Sequence, residues 1–155
     1  CDPAHWQRTS VMTAELLRVT DSVVAALNGA SLSQSFEAVR LYLPQFELTE
    51  MNTLHVSVVP KDSESKRLSR KHTRHTYRVD IGVQKKFQKG DAAELDPLVT
   101  LVEEIAELFD GKPLDDPPDA ICKVAKPDPI YSSEHMERLR QFTSVLTLTL
   151  EVIRT

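Results

Sequence analysis

His72 and His75 stand three residues apart, a spacing that on a helix lets two imidazoles share one metal ion. Their neighbours are Arg70, Lys71 and Arg74, cations that disfavour a further one, so the pair reads as part of a basic surface. Glu103-Glu104 and Asp115-Asp116 are adjacent carboxylates. Acid–base work needs two carboxylates aimed at one substrate, whereas neighbours on a helix or loop diverge, and these read as solvated. His135 beside Glu134 has no third partner. Cys1 and Cys122 would close only a very long loop and belong to no Cys-x-x-Cys motif, so they read as a terminal thiol and a half-buried strand residue in a reducing compartment. A Gly-x-Ser-x-Gly elbow, a phosphate-binding glycine loop, a His-Glu-x-x-His pair and a calcium loop are all missing from the sequence. With four glycines in the chain, close backbone approach to a cofactor phosphate is disfavoured. The expectation is a protein that is not an enzyme and holds neither cofactor nor metal.

Charge is more informative. The 155 residues carry a formal net charge of −4, with 41% hydrophobic and 27% charged residues, the composition of one globular domain. No apolar run approaches the ~20 residues that span a bilayer, so no membrane role is expected. Cys1 to Trp6 lack the basic and apolar regions of a signal peptide. Yet Lys66, Arg67, Arg70, Lys71, Arg74 and Arg78 place six cations within thirteen residues. The function this allows is a docking arm for an acidic protein surface or for phosphates. Aromatic residues are almost absent from it, which disfavours base stacking on single-stranded nucleic acid. The acidic counterpart runs through Asp91, Glu94, Asp96, Glu103, Glu104, Glu107, Asp110, Asp115, Asp116 and Asp119. A chain with a basic arm and an acidic face can associate head-to-tail and close into a ring.

The elements that would carry these groups follow from periodicity. Leu16, Val19, Val23 and Leu27 predict a helix over 13–27, capped by Thr13 and stopped at Asn28-Gly29. A strand is expected over 36–43, with Val39, Leu41 and Leu43 on one face and Arg40 and Tyr42 on the other, ended by Pro44. A second strand is expected over 53–59, closed by Pro60. Residues 61–74 bury nothing and read as a mobile loop at a hairpin tip, before alternation resumes at Tyr77, Val79, Ile81 and Val83. Asp96 as N-cap, Pro97 at N1 and Gly111 past the end predict a second helix, with Leu98, Val102, Ile105 and Phe109 buried. A short strand at 120–125 follows, then one helical turn at 134–138. The last strand alternates Ser144, Leu146, Leu148, Leu150 and Val152 with Val145, Thr147, Thr149 and Glu151. The order α-β-β-β-α-β-β gives an α+β fold, a mostly antiparallel five-stranded sheet with two helices on one face.

That order, Arg40-x-Tyr42-x-Pro44, the Val58-Val59-Pro60 boundary and the polar insertion before Tyr77-x-Val79-x-Ile81-Gly82-Val83-Gln84 resemble the tail-terminator and related minor tail proteins of long-tailed bacteriophages. So do the helix from Leu98 to Phe109 and the closing strand from Phe142. The resemblance spans Thr13 to Ile153 and implies a single domain over 13–155, with 1–12 as an extension outside the pattern that carries Trp6. It implies a virion structural protein assembled in the host cytoplasm and placed at the head-proximal end of the tail. There a six-membered ring of copies caps the tail tube, stops its polymerisation and presents a surface to the neck. The implied partners are copies of itself, the tube protein and a neck or head-completion protein, with genomic DNA passing the bore unbound. Acidic residues lining the bore would prevent sticking, and the Glu-rich helix face is one candidate for that lining. The family carries no catalytic residues. The basic segment 61–74 is the part implied to touch the tube or a neighbouring subunit. Two other readings remain: a neck or head–tail connector component, and a small nucleic-acid-binding module using residues 61–78.

Overall fold

The stripe of Val19, Val23 and Leu27 winds into α1, Glu15–Gly29, in a computed structural model that describes residues 14–42, 53–128 and 130–155. Thr13, Leu43, Pro44, Cys1, Trp6 and the extension 1–12 lie outside the described residues. Asn28 and Gly29 do not take the left-handed stop expected of them. The helix runs through both, and the chain leaves at Ala30 in extended conformation. Asn28 instead clamps the next strand: its amide oxygen accepts from the Ala38 N–H at 2.8 Å and its amide nitrogen donates to the Ala38 carbonyl at 3.1 Å.

That clamp sets β1, Ala38–Arg40, only three residues long. It also sets its faces: Ala38 is buried and Val39 is 47% exposed, the reverse of the expected orientation. β1 pairs with β2, His55–Arg67, in parallel, Ala38 opposite Val56 and Arg40 opposite Val58. The sheet is therefore mixed. Residues 41–54 between the two strands are long enough for the crossover that parallel pairing requires and too long for a tight hairpin.

Antiparallel pairing then joins β2 to β3, Thr73–Lys86, and β3 along its whole length to β5, Gln141–Arg154. β4, Ile121–Pro127, lies outside β5, giving the order β1-β2-β3-β5-β4. Tyr77, Val79, Ile81 and Val83 turn to the same face as Leu146, Leu148, Leu150 and Val152, and all are buried in one core. α1 lies over β1, β2 and β3, while α2, Ala92–Phe109, lies over β4 and β5.

α2 starts earlier than Asp96. Asp91 is the N-cap and accepts from the Glu94 N–H at 3.1 Å, while the Glu94 carboxylate takes the N–H groups of Gln88, Lys89 and Gly90 at 2.8–2.9 Å. Gly90, at φ 71°, lets the chain turn tightly enough for those three donors to converge. This reciprocal cap outweighs the missing N–H of Pro97, whose would-be acceptor belongs to exposed Ala93. The expected buried residues Leu98, Val102, Ile105 and Phe109 are joined by Leu101.

A third helix, α3, Ser133–Leu139, separates β4 from β5 in place of the expected single turn. Ser132 caps it by accepting from the His135 N–H, and Arg140 ends it in the left-handed region at φ 50°. The fold is thus α+β with a five-stranded mixed sheet and three helices among the described residues. None of these helices is long and apolar enough to cross a membrane.

Candidate functional site

The basic segment is a ladder, not a mobile loop. β2 runs through Pro60 to Arg67 with a bulge between Pro60 and Asp62, and only residues 68–72 turn the chain into β3. Alternation is visible there only as charge. Asp62, Glu64 and Lys66 share the sheet face opposite the helices with Arg78, Thr76 and Arg74, their direct partners in register. Arg78 bonds Asp62 at 2.9 Å and approaches Glu64 at 3.7 Å. Arg74 reaches Glu151 of β5 at 3.2 Å, and Lys61 at the bulge approaches Asp80 at 3.8 Å. The hydrogen bond to Asp62 holds Arg78 more firmly protonated than usual.

The six expected cations therefore divide. Arg74 and Arg78 are half-buried and paired inside the sheet. Lys66, Arg67, Arg70 and Lys71 are exposed and make no ion pair among the described residues. Lys66 faces Arg74 directly, and with Arg74 turned to Glu151 it is left in want of an anion.

The tip that presents them is tied down. Leu68 N–H donates to the His72 carbonyl at 2.9 Å, and Ser69 Oγ accepts from the N–H of His72 at 3.2 Å and of Lys71 at 3.3 Å. Ser69 Oγ also lies 3.1 Å from His72 Nδ1. His75 sits instead opposite Ser65, 2.9 Å from its hydroxyl, and stacks on Tyr77, so the two histidines do not converge. Sequence reasoning missed Asp62, Ser65, Ser69 and Glu151, the residues that stiffen this end. The polar alternation of Asp62, Ser63, Glu64 and Ser65 was the signal.

Below the tip the hairpin is fastened to the rest of the fold. Tyr77 donates its hydroxyl to Glu15 at 2.8 Å, and Arg154 at the end of β5 donates to the same carboxylate at 2.7 Å and also pairs with Asp119. Burial alone would raise the Glu15 pKa, but the hydrogen bonds from Arg154 and Tyr77 outweigh it and leave the carboxyl below its ordinary value. Burial and the bond to Glu15 push the Tyr77 phenol up to about 12.

Most of the acidic set serves the fold. Asp91 and Glu94 cap α2, Glu104 accepts from Ser33, Asp110 accepts from the Ala125 N–H at 3.3 Å, and Asp116 is held low by its hydrogen bond from Arg18. Asp96, Glu103, Glu107 and Asp115 are exposed and make no ion pair among the described residues. Glu134 pairs with Arg138, and His135 Nδ1 lies 3.0 Å from Thr143 Oγ1. Cys122 is buried, its thiol donating to the Val124 carbonyl; burial, with Asp110 nearby, pushes it up to about 11, so it stays protonated near neutrality.

In two recesses among the described residues, no nucleophile is hydrogen-bonded to a base. A cavity of about 180 Å³ behind Val39 and Leu41 holds the Ser57 hydroxyl, which bonds to neither His55 nor Glu37 of the same lining. A wider depression beside Ser33 and Thr100 contains one ionisable side chain, Asp96. No three His, Cys, Asp or Glu side chains converge as a metal site among the described residues. The fold and its surface define an α+β domain with one braced, cation-tipped hairpin. No protein-family model matches the chain, and no curated protein matches it significantly.

Proposed function

We propose that this protein is a structural assembly protein of the phage tail-terminator type, a ring of identical copies that caps the tail tube through the β2–β3 hairpin and offers its other side to the neck. One observation carries the reading: a rigid arm, backed along its length by β5, ends in four unpaired cations, Lys66, Arg67, Arg70 and Lys71. Such an arm loses little entropy on docking and supplies area and charge rather than chemistry. The uneven charge also favours head-to-tail contacts between copies, which close into rings when the rotation permits. Its place is the head-proximal end of the virion tail, with DNA passing through the bore unbound.

Light scattering tests the ring and electron microscopy of tubes tests the cap. The expected results are a closed oligomer, six-membered if the resemblance extends that far, and tubes of fixed length in its presence. A monomer at all concentrations that leaves tube growth unchanged would reject the proposal. Tight duplex-DNA binding with a steep inverse salt dependence would point instead to the nucleic-acid module.

A further inference from the structure

We propose that the outer edge of β2, from Pro60 to Arg67, is a strand-addition site for an extended, acidic segment of a partner protein, which pairs with the edge and neutralises the cations at the tip. The proposal rests on the hairpin being the protein-binding end and names the contact it makes.

The two edges of the sheet differ. The start of β4 is closed: Gly111 N–H bonds the Cys122 carbonyl at 2.8 Å, Cys122 N–H bonds the Lys112 carbonyl at 2.9 Å, and Asp110 takes the Ala125 N–H. On the other side, among the described residues, β1 pairs with β2 at Val56–Val58, with one further bond from Leu41 N–H to the Val58 carbonyl. Beyond that point every residue from Lys61 to Arg67 is exposed.

The outward groups can be named. Because Leu68 bonds His72, hydrogen-bonded pairs alternate down the hairpin as Lys66 with Arg74 and Glu64 with Thr76. Ser63, Ser65 and Arg67 fall at the pairs between, so their N–H and C=O groups point away from β3. The close approach of the Ser65 hydroxyl to His75 fits the shorter spacing of such a pair.

Three serial donors and acceptors on a rigid edge form the template for an added strand. Lys61, the bulge and Pro60 guard that edge against its own copies, as edge charges and bulges do in native sheets. The guard is lifted by a strand that brings acids. Asp62 and Glu64 are already answered by Arg78, so the demand left over is for negative charge beside Lys66, Arg67, Arg70 and Lys71. Among the described residues this chain offers no such strand: Glu103 and Glu107 are helical, and Asp116 and Asp119 are paired with Arg18 and Arg154. The charge left unanswered at the tip calls for an acidic segment of another protein, on the tube side.

The test is fluorescence anisotropy of the full chain with a short labelled peptide alternating Glu and Val. Three comparisons accompany it: the same peptide N-methylated at alternate residues, a version with Lys for Glu, and a DNA duplex. The expected result is binding of the acidic peptide alone, weakened about tenfold or more by N-methylation, with slowed amide exchange at Ser63, Ser65 and Arg67. Ser65→Pro, which removes an outward N–H and leaves the β3 ladder intact, should weaken binding to a similar degree. Ser63→Pro repeats this at the next outward position, and the N-methylated peptide on the unaltered protein needs no variant to fold. Equal binding of the N-methylated peptide would overturn the proposal in favour of charge alone. Tighter duplex binding without amide protection would overturn it in favour of phosphate. A ring and a working cap with no strand addition reject this proposal and spare the function; strand addition by a permanent monomer does the opposite.

Discussion

Arg78 faces Asp62 across the hairpin at 2.9 Å, and that pair divides the basic segment into cations that build the arm and cations that the arm presents. The division is open to test. Arg78→Glu sets a third negative charge against Asp62 and Glu64, so β2 should fray beyond Pro60, seen as faster amide exchange at Asp62, Glu64 and Lys66. Reversing Lys66, Arg67, Arg70 and Lys71 together should leave those rates and the melting temperature nearly unchanged while abolishing the effect on tube length. If the quadruple variant still caps, the tip is not the contact.

Tyr77 and Glu15 supply a pH signature. Tyr77→Phe removes a hydrogen bond to a charged, part-buried acceptor and should cost about 1–2 kcal/mol in denaturant unfolding. Glu15 has its pKa depressed in the fold, so its contribution is present above the unfolded value of 4.5 and is lost as pH falls below it. Tyr77 has its pKa raised from 10.0 to about 12, so its contribution is present below pH 10.0 and is lost as pH rises toward 12. The variant's stability should therefore approach that of the unaltered protein at both extremes and differ most between them.

How much of this was legible in the sequence depends on whether burial decided the element. Tyr77 to Val83 and Ser144 to Val152 have one face in the core, and alternation alone identifies them and their inward residues. The faces of β1 come out reversed because three residues carry too little pattern to outvote the Asn28 clamp on Ala38. Residues 61–67 bury nothing on either side, so hydrophobic periodicity is silent and cross-strand charge holds the register. The start of α2 is misplaced because Pro97 is a strong local signal for N1, whereas the cap that wins uses a carboxylate and three main-chain donors earlier in the chain. The candidate site was legible as a region but not as a structure, and its division into paired and free cations needed Glu151, which is distant in sequence.

Glu94 can be tested on that point. Glu94→Gln keeps an acceptor but removes the charge, and Glu94→Ala removes both, so the melting temperature should fall in that order. Amide exchange at Gln88, Lys89 and Gly90 should speed up in the same order. The backbone donors of Gln88 and Gly90 hold the Glu94 carboxyl below its ordinary value. Its contribution is therefore present above the unfolded value of 4.5 and is lost as pH falls below it, so the two variants should differ less from the parent in acid. Full protection of those amides in Glu94→Ala would show that Asp91 alone starts the helix.

Ala38 and Val39 give the sharpest check on the fold, because the pattern of the sequence and the structure assign them opposite faces. Ala38 is 3% exposed beneath α1, whereas Val39 is 47% exposed on the other side of the sheet. Ala38→Asp would bury an unpaired carboxylate and should cost about 3–5 kcal/mol, a large share of the roughly 5–15 kcal/mol that holds a typical domain folded. Val39→Asp at an open position should change stability by about 0.5 kcal/mol or less. Thermal unfolding of the two variants side by side decides the matter. The opposite ranking would mean that Asn28 does not hold β1 in this register, and with β1 turned over, Val39 and Leu41 would face the core.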